Sequence, residues 1–160
     1  MSLARAFRPG RKALVPYLTV GYPTLAATLE LVPALEAAGA DIVELGIPFS
    51  DPLADGTTIQ EASHQALEGG TTPQACLDVA RRLRERGVRL PLAFMTYYNP
   101  VFHYGLDAFC AACASSGVDG LIVPDLPPDE GGDLEVATQR HGLDLVYLLA
   151  PTSPPDRVRL

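Results

Sequence analysis

The sequence predicts an α/β fold in which helices cover a parallel sheet. Five short runs rich in β-branched or aromatic residues alternate with longer stretches of Ala, Leu, Glu and Arg at helical spacing, which is the pattern of repeated strand–helix units. A chain of 160 residues fits one domain with its own core. Its apolar content of 48%, against 19% charged residues, excludes a disordered chain.

The elements follow from these patterns in chain order. Strands are predicted over residues 14–20, 41–46, 90–97, 120–124 and 143–149. Helices are predicted over residues 25–38, 60–67, 73–86, 106–116 and 128–141, after a short helix over residues 3–7. The gap between the second and third strands is longer than the others, so residues 46–72 are expected to include a long loop.

The number of units distinguishes two α/β architectures. Parallel units of this size form either a doubly wound sheet or a (βα)8 barrel of the TIM type, and the barrel needs about 250 residues, or about 31 per unit. At that rate 160 residues hold five units. We therefore expect residues 1–160 to form a single partial TIM-barrel domain, with strands one to five present and strands six to eight absent. Its two open sheet edges should pair with something, aggregate or stay partly unfolded.

The net charge and the cysteine content limit which binding partners and which cellular compartment we expect. The net charge of −7 opposes an extended basic surface, so nucleic acid and anionic lipid are excluded as partners. No apolar run reaches the roughly 18 residues needed to cross a bilayer, and residues 1–12 lack the apolar centre of a secretory signal. Three cysteines cannot all pair within the chain, which fits a reducing compartment. We therefore expect a cytoplasmic protein without a membrane segment.

Cys110 and Cys113 form a C-x-x-C pair in an Ala-rich stretch with helical periodicity. Such spacing occurs in zinc and redox sites, but no second Cys or His pair has ligand spacing. Two buried thiols on one helix face are the favoured interpretation, and no metal site is expected.

The second strand carries a candidate catalytic carboxylate. Alternation places Ile42, Glu44 and Gly46 on one face of this strand, with Glu44 near its C-terminal end. A carboxylate in an apolar strand costs several kcal/mol if it is charged and unpaired, so Glu44 is either in a structural salt bridge or catalytic. Asp55 lies on the following loop, and two carboxyl groups in different environments can divide acid and base roles.

In several motifs the chain resembles the α subunit of tryptophan synthase. The run ELGIPFSDPLADG at residues 44–56, followed by TIQ at 58–60, is similar to the signature of that family. The resemblance extends to VPYLTVG at 15–21, MTYYNP at 95–100 and VPDLP at 123–127. It implies a (βα)8 barrel that cleaves indole-3-glycerol phosphate to indole and glyceraldehyde 3-phosphate by a retro-aldol reaction, without a cofactor in this chain.

The resemblance also implies roles for individual residues. Glu44 corresponds to the general acid/base of the family, and Asp55 to the carboxylate that polarises the indole N–H. Since Glu44 must change protonation state near neutral pH, we expect an apolar setting to raise its pKa. Other positions match the surroundings of the substrate ring, with ordinary barrel core as the alternative: Tyr17, Met95, Tyr97, Ile122 and Leu148.

The family docks on a β subunit that carries pyridoxal phosphate and receives indole in an α2β2 heterotetramer. Loops after the strands are expected to form the docking surface, with an exposed phenylalanine among prolines as a contact patch; solvated loop is the alternative. The expected interface residues are Pro48, Phe49, Asp51, Asn99 and Pro127.

Two departures from the family pattern leave alternatives open. Thr57 stands where the family commonly carries proline, so this loop is expected to be less rigid unless Thr57 caps the next helix. The family takes its lid threonine and phosphate-binding loops from strands six to eight, which are missing from residues 1–160. A non-catalytic fragment that binds the β subunit is therefore the second hypothesis. A different phosphate-sugar barrel enzyme is the third, although PFSDP at residues 48–52 argues against it.

Overall fold

A computed structural model describes residues 2–159 of the chain. Within these residues, five parallel strands form one sheet in the order β1-β2-β3-β4-β5, with each strand hydrogen-bonded to the next in sequence. The strands are β1 (Tyr17–Thr19), β2 (Val43–Gly46), β3 (Leu92–Met95), β4 (Gly120–Ile122) and β5 (Asp144–Val146). Each lies inside a predicted strand, so the predicted sheet is confirmed, although β2 and β4 are two residues shorter than predicted and the other three strands are four residues shorter.

Helices connect the strands and cover one face of the sheet. The α-helices are α1 (Leu25–Ala37), α2 (Thr57–Glu68), α3 (Pro73–Glu85), α4 (Tyr98–Tyr104), α5 (Leu106–Ser115) and α6 (Gly132–Arg140). Thr24 and Thr72 start α1 and α3, because their hydroxyls accept hydrogen bonds from the N–H groups of Ala27 and Ala75 at 3.1 and 3.2 Å. No helix within residues 2–159 is long and apolar enough to span a membrane.

Three helix predictions and one loop prediction need correction. The helix predicted over residues 60–67 begins earlier, and Thr57 is its first residue, because Gly56 occupies the capping position. Residues 98–104 form α4, where a loop was expected. The predicted helix over residues 128–141 is divided into a 3-10 helix, Pro128–Glu130, and α6. The leading helix is a 3-10 helix, Leu3–Ala6.

Strand alternation divides the apolar residues between two layers. Leu45, Phe94 and Leu121 occupy one row of the sheet register and are fully buried with the helices in the main core. On the opposite face, a smaller buried cluster contains Ala93 and Ile122 together with Ile42, which precedes β2, and Leu3 of the first turn. The sheet therefore has a helix-covered outer face and an inner face of barrel type.

The first turn of the chain lies against the inner face. Leu3 is 5% exposed and packs on Gly120, where a side chain would overlap it. The Ser2 hydroxyl and the Leu3 N–H donate hydrogen bonds to one carboxylate oxygen of Asp144, at 2.9 and 2.5 Å. These bonds connect the start of the described chain to β5.

Arg84 connects α3 to the segments that lead into β3 and β4. Its guanidinium donates hydrogen bonds to the carbonyl oxygens of Gly117 at 2.9 Å, Val88 at 3.0 Å and Leu90 at 2.8 Å. It also forms an ion pair with Asp119 at 2.6 Å. The fork of a guanidinium can serve several acceptors at once, so this one side chain satisfies carbonyls from two loops.

The three cysteines lie buried in helices, Cys76 in α3 and the C-x-x-C pair in α5. Burial raises the pKa of Cys76 to about 12 and that of Cys110 to about 11, and it raises the pKa of Cys113 as well. A thiol with a raised pKa is a poor nucleophile and a poor metal ligand. The placement agrees with two buried thiols on one helix face.

Candidate active site

Glu44 projects from β2 onto the inner face of the sheet. The strand register places it between Tyr17 of β1 and Ala93 of β3. Its side chain borders a cavity of about 150 Å³ whose lining is otherwise apolar. The other lining residues are Leu3, Phe7, Val15, Ile42, Ala93, Ile122 and Val146.

The surroundings of Glu44 favour its neutral form. Among residues 2–159 its carboxyl group has no ion-pair partner and no hydrogen-bond partner, which removes the structural salt bridge as its explanation within this part of the chain. Burial raises its pKa above the ordinary value of 4.5, because an apolar setting penalises the charged form. A carboxyl group whose pKa is raised in this way is better suited than an exposed one to act as a general acid and base.

Asp55 lies on the loop between β2 and α2. The loop is folded by its own backbone, with the N–H of Leu53 bonded to the carbonyl of Asp51 at 2.9 Å and the N–H of Asp55 to that of Pro52 at 3.1 Å. The Gln60 side chain donates to the Asp55 carbonyl at 2.9 Å. Burial raises the pKa of Asp55, and an interaction with Tyr97 opposes this rise.

Tyr97 reaches this loop from the end of β3. Its side chain is 6% exposed, and its hydroxyl accepts a hydrogen bond from the N–H of Ala54 at 2.8 Å. Its ring lies 5.4 Å from that of Phe49 at an angle of 34°, a common geometry for aromatic pairs. Burial raises the pKa of Tyr97, and the Asp55 carboxylate adds to this effect.

Tyr17 lies close enough to Glu44 and Asp55 for both carboxyl groups to act on its hydroxyl. Burial raises its pKa, and the negative charges of Asp55 and Glu44 raise it further. Its hydroxyl lies 3.2 Å from that of Thr19. The fold therefore brings together Tyr17, Glu44, Asp55 and Tyr97 from β1, β2, its loop and the end of β3.

The remaining predicted ring positions differ in their surroundings. Ile122 lines the cavity beside Glu44, and Met95 is half-buried against the same apolar cluster. Leu148 lies beyond the end of β5 and is 55% exposed. Among the described residues, Leu148 contributes nothing to this cavity.

The predicted interface residues are divided between buried and exposed positions. Phe49 is half-buried against Tyr97, so the expectation of an exposed phenylalanine is wrong. Pro48 is buried within the chain and Pro127 is half-buried, whereas Asp51 and Asn99 are exposed.

Two exposed side chains near this surface were missed at the sequence level. Leu53, at the tip of the acidic loop, is 94% exposed, and Phe102 of α4 is 64% exposed. Phe102 borders a groove of about 400 Å³ together with Tyr98, Asn99, Asp125, Leu126 and Glu130. A cavity of about 490 Å³ lies against α2 and includes neither Glu44 nor Asp55 in its lining.

Comparison with known proteins identifies the family. The sequence profile described as "Tryptophan synthase alpha chain" matches residues 3–160. The chain belongs to the tryptophan synthase alpha chain family. A relative from Dehalococcoides mccartyi is 57% identical over 94% of this chain and 58% of its own length. One from Chloroflexus aurantiacus is 57% identical over 98% of this chain and 59% of its own length.

Solved structures of the family have the same fold. Tryptophan synthase subunit alpha from Legionella pneumophila superposes with a TM-score of 0.93 at 38% identity, covering 98% of this chain and 60% of that one. Tryptophan synthase from Mycobacterium tuberculosis gives a TM-score of 0.87 at 42% identity, covering 92% of this chain and 59% of that one. These matches confirm the TIM-barrel fold class. The chain spans less than two thirds of the length of these relatives.

Proposed function

We propose that this chain carries the acid/base residues of a tryptophan synthase α-type lyase. Such an enzyme cleaves indole-3-glycerol phosphate to indole and glyceraldehyde 3-phosphate. The observation that carries the proposal is the Glu44 carboxyl group, which borders an apolar cavity without a charged partner in residues 2–159. Asp55 lies near the same group of side chains. Membership of the family supports this reaction over that of another phosphate-sugar barrel enzyme.

The first step of the proposed reaction uses the protonated form of Glu44. It donates its proton to C3 of the indole ring, and positive charge develops on the ring nitrogen. The Asp55 carboxylate accepts a hydrogen bond from the indole N–H and stabilises that charge. The raised pKa of Glu44 supports this order of events, because burial makes its carboxyl group hold the proton to a higher pH than an exposed glutamate does.

The second step breaks the carbon–carbon bond. The Glu44 carboxylate removes the proton from the glycerol hydroxyl next to the ring, and the C–O bond becomes a carbonyl as the bond to C3 breaks. The bonding electron pair returns to the ring system, which gives indole and an aldehyde, and Glu44 is protonated again. Apolar and aromatic side chains would hold the flat ring during both steps, namely Tyr17, Met95, Tyr97 and Ile122.

The complete reaction also requires groups that bind the phosphate. These groups would come from the part of the barrel that lies outside the region matched here in the relatives. This chain covers 58% of the Dehalococcoides relative. No cofactor is assigned to this chain, because acid/base chemistry accounts for both steps. The proposed partner is a β subunit that carries pyridoxal phosphate in an α2β2 assembly, with Asp51 and Asn99 at the contact surface. The proposed location is the cytoplasm.

A second candidate function is non-catalytic binding to the β subunit. The exposed positions of Asp51 and Asn99, in the loops of the proposed interface, favour it. In this case the chain would raise the turnover of the β subunit but release no indole.

Indole release from indole-3-glycerol phosphate tests both candidates. The assay is run on the chain with and without a β subunit, for the parent protein, Glu44→Gln and the matched control Glu85→Gln. Glu85 is an exposed residue of α3, so its variant should retain the parent rate. Loss of release in Glu44→Gln alone supports the lyase. Equal and measurable rates in all three proteins would eliminate Glu44 as the acid/base, whereas stimulation of the β subunit with no indole release from any of them would select the binding function.

A further inference from the structure

Tyr97 occupies a rigid position between β3 and α4. It is the capping residue of α4, and its carbonyl accepts a hydrogen bond from the Thr96 hydroxyl at 3.3 Å. The next N–H, from Tyr98, donates to the Asp125 carboxylate at 2.9 and 3.2 Å. Hydrogen bonds therefore hold the backbone on both sides of Tyr97. A residue that orients another group needs a backbone fixed in this way.

The hydroxyl of Tyr97 joins this rigid position to the loop of Asp55. Within the described residues, the other hydrogen bonds of residues 51–55 stay inside the loop or reach only Ser50 and Gln60. The bond from Ala54 N–H to the Tyr97 hydroxyl therefore ties this stretch to the end of β3, the strand next to β2 in the sheet. The hydroxyl also interacts with the Asp55 carboxylate.

We infer that Tyr97 is a positioning residue for the proposed reaction: its hydroxyl holds the backbone at Ala54 and thereby fixes the carboxylate of Asp55 relative to Glu44. This inference rests on the proposed function. It adds a second role to the ring-binding role implied by family resemblance, and the two roles involve different parts of the side chain. The ring packs on Phe49, whereas the hydroxyl binds the loop.

Tyr97→Phe separates the two roles. The variant keeps the ring and its contact with Phe49 but deletes the hydroxyl oxygen. Ala54 is exposed, so water can replace the lost acceptor and the variant is expected to fold. Tyr104→Phe is the matched control, because the Tyr104 hydroxyl binds only the exposed Gln74 side chain at 3.4 Å and its ring packs elsewhere, on Phe109.

Two measurements on the free chain test the contact directly. Amide hydrogen exchange at Ala54 should become several-fold faster in Tyr97→Phe, while the amides of Leu45 and Phe94 in the sheet core serve as internal standards for an intact fold. Carbon-detected NMR titration should give a higher pKa for Asp55, because the interaction that lowers it is lost and burial remains. The other titratable or charged groups near this pair, Tyr17, Glu44 and Asp125, are unchanged. Parent-like values for both measurements would overturn the inference.

Kinetics with the β subunit provides a third measurement. A misplaced carboxylate should lower kcat for indole release by about tenfold or more, with KM within about twofold, because the ring that contacts substrate is retained. A raised KM with an unchanged kcat would overturn the positioning role. If Glu44→Gln kept full indole release, the proposed function would fail. The exchange and titration results would then still decide whether Tyr97 holds the loop.

Discussion

The ring of Tyr17 lies over Gly46, and its hydroxyl occupies the space that a Cβ atom at position 46 would need. Tyr17 belongs to β1 and Gly46 to β2, where Gly46 pairs with Thr19 and Met95. The glycine therefore lets a tyrosine from the neighbouring strand cross the inner face beside Glu44. A side chain at position 46 would push Tyr17 out of the group that also contains Asp55 and Tyr97.

Gly46→Ala should destabilise the fold by about 1–3 kcal/mol, the usual cost of overpacking. Urea denaturation measures the effect, and Gly132→Ala is the control because a Cβ at position 132 meets no atom within 4 Å. Adding Tyr17→Ala to Gly46→Ala removes the overlapping ring and should restore part of the loss, which a double-mutant cycle detects. Equal denaturation midpoints for Gly46→Ala and Gly132→Ala would contradict this account.

The stability contributed by Glu44 should depend on pH. Burial raises its pKa above 4.5 in the folded state, so the folded chain binds the proton more tightly than the unfolded chain. This contribution is full in acid and is lost as the pH rises through the folded-state pKa. Glu44→Gln cannot ionise, so its urea midpoint should rise relative to that of the parent between about pH 4 and pH 8. A constant difference across this range would mean that the pKa of Glu44 is ordinary.

Arg84→Leu should cost about 3 kcal/mol, since it removes the ion pair with the buried Asp119 carboxylate and the guanidinium hydrogen bonds to three carbonyls. Arg84→Lys should recover only a small part, because an ammonium group lacks the guanidinium fork. Arg82→Leu on the same helix is the control, since Arg82 is exposed. Unfolding of the Arg82→Leu and Arg84→Leu variants at the same urea concentration would show that the Arg84 contacts do not stabilise the fold.

The three cysteines should not react with a thiol reagent in the folded chain. All three are buried, and burial raises the pKa of each thiol. A colorimetric disulfide reagent at about pH 8 should modify all three only after denaturation. Rapid labelling of Cys110 or Cys113 in the folded chain would instead favour a redox or metal role for the C-x-x-C pair.

Leu53→Ser should weaken binding to a β subunit by about tenfold, or about 1.4 kcal/mol. Leu53 is 94% exposed at the tip of the acidic loop, where an apolar side chain gains most from being covered by a partner. Leu31→Ser is the control, because Leu31 is also exposed, at 43%, but lies on α1. Calorimetry with the purified β subunit gives both affinities, and equal affinities would remove the loop tip from the interface.

The sequence was sufficient where structure depends on local pattern. Alternation in β2 places Glu44 on the inner face, and the five strands lie where runs of β-branched and aromatic residues predicted them. It was insufficient where a distant residue decides the outcome. The start of α4 depends on Asp125, which accepts the Tyr98 N–H from 27 residues away. Phe49 is half-buried because its ring packs on that of Tyr97, a contact that the Pro-rich sequence of its own loop does not reveal.

The contact between Leu3 and Asp144 has a consequence for biosynthesis. The two residues are separated by 141 positions, so the first turn of the chain gains its polar anchor only when β5 is complete. A ribosome makes the chain from its N-terminus, so Leu3 emerges well before its partner in β5 does. The residues made first thus gain this polar anchor only after the strands between them and β5 have been made.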